Sequence, residues 1–439
     1  MLDLIIENAD ILTMDELSPV IRGGAVGVRD GKLVFTAKSI PAEYESEGAK
    51  RVIDARGNIV MPGLINTHAH AAMCVMRGYA DDYNLNEWLF NKIFPVEARL
   101  TREAVLAGVR LGIAEMLASG TTSFSDMYSN ESAAAQIVLE TGIRANLSNG
   151  VIALSDSFDF EADRAARELR ELIRIWHGAG GGRILADASI HAEYTSPPWV
   201  WQKEHEIAAE YGLTTHIHLC ETENEVLECK ARHGGRSPVE VFNEYGIFDT
   251  PVLAAHCVWL SEADMRILAE KGVSAAHCPL SNLKLASGIA NVRTMTEHGI
   301  NVSLGTDGCA SNNSHDLFEE IKFAALLSKG TGFDPTAVPA YQALQMATLN
   351  GAKAQGRKNV GMLRAGCDAD LIMLDVHKPH MQPVYSPAAT AAYSAGGSDV
   401  CLTMVQGRIL YENGEWTTID VEKAIAEVKS IAVPIVLGK

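Results

Sequence analysis

Four short stretches place metal-binding or proton-transferring side chains where β-strands would end. The first is Pro62-Gly63-Leu64-Ile65-Asn66-Thr67-His68-Ala69-His70. Residues two apart on a strand share a face, so His68 and His70 present two imidazoles together. Two neutral imidazoles side by side suit Zn2+ or Fe2+. The second stretch, Thr214-Thr215-His216-Ile217-His218-Leu219-Cys220-Glu221, carries two more same-face histidines and a carboxylate. His256 closes the third, Ala254-Ala255-His256-Cys257, and Asp307 the fourth, Leu304-Gly305-Thr306-Asp307-Gly308.

Period two leaves open which of His216 and His218 meets a metal. His218 lies nearer the strand's C-terminal end and is the ligand expected here. His216, about 6.6 Å deeper, is expected as a packed or supporting residue. His68, His70, His218 and Asp307 then form an N3O set with one exchangeable position, which is the pattern of a catalytic centre. The segment Ile184–His191 offers no lysine to become a bridging carbamate, so one metal is expected. A bound metal brings the pKa of its water towards ~7. Glu221, three residues past His218, can carry a proton to a ring nitrogen, while His256 and Asp307 orient and deprotonate the water. That set serves hydrolytic attack on a C=N or C–N carbon of a heterocycle. Trp88 could stack on a base or equally fill core or lid. His277 and Asn282 are further candidates for the pocket wall.

Such groups converge only if the elements carrying them do. Candidate strands run over Thr121–Met127, Arg144–Ile152, Ile184–His191, Thr214–Cys220, Val252–Val258, Val273–His277 and Asn301–Thr306. Between them lie helical patterns at Glu103–Ala118, Glu161–Trp176, Lys203–Tyr211, Glu262–Lys271 and Asp316–Ser328, the last with Asn313 or Ser314 as expected N-cap. With Ile59–Thr67 added, eight βα steps result. This α/β order allows a (β/α)8 barrel or an open doubly wound sheet. No GxGxxG or GxxxxGKS element follows a strand, which disfavours the nucleotide-binding open sheet. In a barrel the C-terminal strand ends surround one mouth, where these groups can meet. Residues 1–57 read instead as β-hairpins with a turn at Asp30-Gly31, and residues 361–439 as more strands, a turn at Asn413-Gly414 and a terminal helix. The expected organisation is therefore a barrel over 58–360 framed by an all-β module from 1–57 and 361–439.

The 439 residues carry a net charge of −18, so nucleic acid and anionic membranes are poor partners. No apolar run approaches the ~18–20 residues of a membrane-spanning helix, and the first residues lack a basic signal region. Eight scattered cysteines without CxxC fit reduced thiols of a cytoplasmic protein.

The combination resembles the amidohydrolase superfamily in its mononuclear aminohydrolase branch, and within it the 5-methylthioadenosine/S-adenosylhomocysteine deaminases. The resemblance runs over essentially the whole chain. It rests on PGLINTHAH (62–70), FPVEARL (94–100), SGTTSFSDM (119–127), HIHLCET (216–222), AAHCVWL (254–260), SNLKLASGIA (281–290), LGTDGCASNN (304–313) and GCDADLIMLD (366–375). It implies a (β/α)8 TIM barrel with a small β-sandwich formed by both termini, and a homo-oligomer. It further implies one Zn2+ per subunit on His68, His70, His218 and Asp307, although an N3O set also accepts Fe2+ or Mn2+. Glu221 and His256 fall on the proton-transfer positions, Glu97 on the contact to ribose hydroxyls, and His191 on a further substrate contact. Asn149 stands where these deaminases carry an arginine, which removes a bidentate partner for a carboxylate and leaves the exact substrate open. The implied activity is release of ammonia from an adenosine-type nucleoside. Alternatives are a deaminase or hydrolase of a triazine, a guanine-type base or a formimino compound. A non-catalytic barrel scaffold is disfavoured, because every proposed ligand and the acid/base pair are present.

Overall fold

The computed structural model describes residues 1–155 and 157–439. The chain opens with β1 (Leu2–Leu12), β2 (Val20–Arg29), β3 (Lys32–Ala37), β4 (Ala49–Asp54) and β5 (Ile59–Pro62). Next come β6 (Leu64–His70), β7 (Thr121–Met127), β8 (Arg144–Ser148), β9 (Ile184–Ala186), β10 (Ala188–Ile190), β11 (Thr215–Leu219), β12 (Val252–His256), β13 (Ser274–His277), β14 (Asn301–Leu304) and β15 (Asp307–Gly308). The last are β16 (Leu371–Leu374), β17 (Val400–Val405), β18 (Arg408–Glu412) and β19 (Glu415–Trp416).

Strands β6 to β15 pair in parallel and close on themselves. One arc runs β15-β6-β7-β8-β9 and the other β10-β11-β12-β13-β14. β9 and β10 are one stave interrupted at Asp187, and β14 and β15 are one stave interrupted at Gly305-Thr306. Among the described residues the barrel thus has eight staves. Its strands are buried along nearly their whole length, as Thr121–Met127 and Val252–His256 show, because helices cover the outside and side chains fill the inside. The interruption at Gly305 is steric. A Cβ there would lie 2.7 Å from His68 Cβ and 2.8 Å from its nitrogen, so only glycine lets the last stave approach β6.

Several expected ends shift by a few residues: Pro198 rather than Lys203 opens one helix, and Arg144–Ile152 stops at Ser148. Three differences have a distinct physical reason. The segment Ile59–Thr67 is divided: Ile59–Pro62 belongs to the terminal sheet, and the barrel begins at Leu64. Ile184–His191 is broken because Asp187 turns its carboxylate to Asn146 Nδ2, 3.0 and 3.1 Å away. The helix after the last stave spans Leu317–Gly332 and is capped by Asp316, whose side chain accepts from the Phe318 N–H, not by Asn313 or Ser314.

The remaining strands form a nine-stranded sheet ordered β19-β18-β17-β16-β5-β1-β2-β3, with β4 added beside β1. Both chain ends therefore share one sheet. β1 pairs with β4 through Glu7 and with β5 from Asp10, and Asn8, at φ 57°, lies between. Arg144 of the barrel reaches into this sheet's loops: its Nε donates to Asp370 at 2.5 Å and its Nη2 to Asp368 at 2.8 Å. No helix among the described residues is long and apolar enough to cross a membrane.

Candidate metal centre and active site

The C-terminal ends of the staves bring the four sequence stretches together. His70 is the last residue of β6, His218 lies near the end of β11, His256 ends β12 and Asp307 opens β15. Register fixes their heights: Asp307 pairs with Ala69, and His256 with Leu219. His256 and Asp307 have φ of 72° and 61°, left-handed values that cost roughly 1–3 kcal/mol each in non-glycine residues. Each strained turn aims a side chain into the mouth.

His68 Nε2 and His70 Nε2 lie 3.4 and 3.2 Å from the same Asp307 oxygen, and His218 Nε2 lies 3.4 Å from His70 Nε2. Donor atoms of His68, His70 and Asp307 fall within 4.8 Å of one another, as do those of His68, His218 and His256. Each imidazole is oriented by its other nitrogen. His68 Nδ1 meets His216 Nε2 at 2.9 Å, His70 Nδ1 donates to Met127 O at 2.5 Å, and His218 Nδ1 to His191 O at 2.6 Å. His256 Nδ1 faces Asn282 Oδ1 at 2.9 Å. The second Asp307 oxygen accepts from Ser281 and Ser311 hydroxyls at 2.6 and 2.8 Å. His68 Nε2 is buried yet has no hydrogen-bond partner. An orphaned, fully buried lone pair among pre-oriented imidazoles and a carboxylate fits a divalent cation, which satisfies it directly.

Electrostatics fit this for two of the imidazoles, while the third is held by the carboxylate beside it. Burial lowers the His68 imidazole to about 4, and burial with neighbouring imidazoles holds His218 well below its ordinary value, so both present neutral lone pairs. Burial opposes protonation of His70 too, but the Asp307 carboxylate outweighs it and carries that ring to about 9. The same histidines hold Asp307 well below the carboxylate range against its own burial. Glu221, 5% exposed, has its carboxyl raised by burial. Its Oε2 lies 3.8 Å from His256 Nε2, and its Oε1 accepts from the Ser287 hydroxyl at 3.1 Å.

These groups form the floor of a cavity of about 270 Å3 that is also lined by Trp88, Phe94, Glu97, Tyr128, Arg164 and His191. The helical run 85–97 swings Trp88 and Glu97 over the mouth. Trp88 Nε1, Glu97 Oε1, Tyr128 Oη and His191 Nδ1 are buried without partners. Burial raises the Glu97 carboxyl and lowers His191 to about 3.

Asn149 is placed elsewhere. It does not line the cavity, and its amide donates to Glu168 Oε2 at 2.6 Å. One side of the amide is thus engaged by that carboxylate, while Asn149 Oδ1 is buried without a partner. His277 is buried off the cavity, and Asn282 stands behind His256 rather than in the wall. Arg164, Tyr128 and Tyr194 are lining residues that sequence reasoning missed. Arg164 carried no signal beyond opening a helix. Tyr128, directly after Met127 at the end of β7, was open to the strand-end argument.

A second donor cluster, Glu193, Cys229 and His233, sits on the outer flank. There Glu193 is already satisfied by His233 Nε2 at 2.8 Å and by Arg232.

A family model described as the amidohydrolase family matches residues 59–410. The chain belongs to the amidohydrolase family. It is a hydrolase acting on C–N bonds other than peptide bonds. The chain is 48% identical over 432 residues to the 5'-deoxyadenosine deaminase of Methanosarcina mazei, covering 98% of each. It is 46% identical over 413 residues to the 5-methylthioadenosine/S-adenosylhomocysteine deaminase of Moorella thermoacetica, covering 93% of this amidohydrolase and 95% of that one. Among solved structures it is similar to an adenosine deaminase from Xanthomonas campestris with bound zinc, at a TM-score of 0.92 and 32% identity, covering 99% of this chain and 98% of that one.

Proposed function

We propose that this amidohydrolase is a zinc-dependent deaminase that replaces the 6-amino group of an adenosine-type nucleoside with oxygen. The observation that carries the reading is the pairing, in one cavity, of the histidine–aspartate cluster beside Glu221 with the buried, unpartnered oxygen of Glu97. The first supplies deamination chemistry and the second an acceptor for vicinal hydroxyls. The named substrates of the two relatives all carry adenine on a ribose and differ at the 5' end.

His68, His70, His218 and Asp307 would hold the ion. When bound it supplies a Lewis acid that makes a water nucleophilic near neutral pH. Glu221, whose carboxyl burial pushes up, passes a proton to N1 of the purine and so makes C6 electrophilic. His256, fixed by Asn282, and Asp307, fixed by two serines, orient the attacking water. Glu97 accepts from the ribose hydroxyls, His191 contacts the nucleoside, and the Trp88 ring stacks near the base.

Among the described residues, Arg164 is the sole lysine or arginine lining the cavity, and it is 62% exposed. With Asn149 turned to Glu168, an anionic 5' extension has little to bind, so 5'-deoxyadenosine and methylthioadenosine are the better substrates and S-adenosylhomocysteine the poorer. The nine-stranded sheet shared by both termini supports the organisation of a β-sandwich from 1–57 and 361–439 around a barrel over 58–360. Ammonia release measured across 5'-deoxyadenosine, methylthioadenosine, S-adenosylhomocysteine, adenosine, guanine and a triazine tests the reading. The expected result is turnover of the nucleosides in that order of 5' preference; turnover of guanine or the triazine alone would contradict it.

A further inference from the structure

A second cavity of about 420 Å3 adjoins the first, and four side chains, Leu85, Leu89, Tyr194 and Leu285, line both. Its far wall includes Thr222, Ala286 and Ser287. Ser287 is the residue whose hydroxyl holds Glu221 Oε1, and its own carbonyl accepts from Trp259 Nε1 at 2.6 Å. The annex therefore opens beside the proton-transfer carboxyl, from a braced wall. Glu97, Tyr128 and Arg164 border the main cavity only. Glu221, His256 and, from the histidine–aspartate cluster, His70, His218 and Asp307 line only the main cavity as well. The division is therefore between one cavity that holds both the sugar-end and the reacting groups and an annex that adjoins the reacting end through Ser287.

That division has a chemical consequence, which rests on the proposed nucleoside reading. If Glu221 protonates N1, then C6, bonded to N1, lies beside it, and the leaving amine on C6 projects along the same edge. A substituent on that amine would run between Leu85, Leu89 and Leu285, an apolar gate, into the annex. None of the residues proposed to bind the nucleoside lines the annex, so a bare nucleoside leaves it unused. The annex also carries Glu223, Glu225 and Glu228. Amines leave a protein as ammonium ions in water, and an acidic outer wall favours them over anionic leaving groups.

We propose that the enzyme also accepts adenosine-type nucleosides whose 6-amino group bears a small alkyl substituent, and releases the alkylamine. The step balances with water as the only co-reactant. The water oxygen bonds to C6, and Glu221 transfers one of the water's protons to N1 and the other to the departing nitrogen. The C6–N bond breaks with its electron pair remaining on nitrogen. The products are the 6-oxopurine nucleoside and a neutral alkylamine.

The test compares 5'-deoxyadenosine with its N6-methyl derivative on the purified full-length enzyme, reading methylamine and the 6-oxo product by mass spectrometry. Two variants fill the annex, Ala286→Trp and Asn224→Trp, both at exposed positions outside the main cavity. The N6-methyl compound is expected to give equimolar methylamine with kcat/KM within about tenfold of the parent. Either filling variant is expected to lower that value at least about tenfold while changing the parent less than about twofold. An enzyme that deaminates the parent but leaves the N6-methyl compound untouched overturns the annex proposal alone. So does methylamine release that neither variant slows. An enzyme inert towards the parent nucleoside overturns the function on which the proposal rests.

Discussion

The floor and the wall of the cavity are built on opposite principles. On the floor nearly every polar atom is already engaged: His70, His218 and His256 are anchored through Nδ1, His68 through His216, and Asp307 through Ser281 and Ser311. What remains open there is a single convergent set of lone pairs. On the wall the pattern reverses. Trp88 Nε1 and His191 Nδ1 are buried and unpartnered, at roughly 1–3 kcal/mol each, and the Glu97 carboxyl and Tyr128 hydroxyl are buried with no hydrogen-bonding neighbour but each other. On the proposed function the floor is preorganised for chemistry, and the wall holds polar groups whose partners arrive with the substrate. Reaction type and substrate choice are thus carried by different residues and can be broken separately.

The largest effect is expected on the floor. Glu221→Gln keeps the shape and removes the proton donor, so kcat should fall by about 10³-fold with metal content unchanged. Near-normal turnover with intact metal would move proton transfer to another group. Next comes the wall. Glu97→Ala removes a charged acceptor for two hydroxyls, so kcat/KM for nucleosides should drop by about 10²-fold, with metal stoichiometry unaffected. An equal loss for substrates lacking the ribose hydroxyls would contradict the assignment. The smallest effect on activity, essentially none, is expected from Glu204, a buried carboxyl remote from both regions. Burial raises it from 4.5 to about 8 in the helix Pro198–Tyr211. Because its folded pKa is the higher one, its stabilising contribution is complete below pH ~4.5 and is lost as pH rises through about 8. Each unit is worth about 1.4 kcal/mol, so Glu204→Gln should be more stable than the parent at pH 9 by a few kcal/mol, and nearly equal at pH 5. Parallel urea midpoints at the two pH values check this. A variant that loses activity but shows no such crossover would place Glu204 in the catalytic region instead.

The same contrast explains what the sequence disclosed. The floor was legible because strand periodicity is local: HxH at 68–70, HxH at 216–218, His256 and Asp307 announce their direction without any knowledge of the fold. Depth along one strand also placed His216 below His218, and His216 stands behind His68. The staves themselves were recovered to within a few residues where they are continuous. They were missed at Asp187 and Gly305, where a buried carboxylate and a steric approach to His68 break the ladder, both being contacts distant in sequence. The wall was less legible for that reason. Arg164 and Tyr194 reach the cavity through loop paths that no period encodes, and Asn149 faces Glu168 because of a partner nineteen residues away.

The claim on which the rest depends is that one divalent ion is held by His68, His70, His218 and Asp307. Anomalous diffraction at the zinc absorption edge, on crystals of the protein as purified, tests it most directly. The account predicts one peak, about 2.0–2.2 Å from Nε2 of the three histidines and from an Asp307 oxygen. A peak at Glu193, Cys229 and His233 instead, two peaks in the mouth, or none in active enzyme would contradict it.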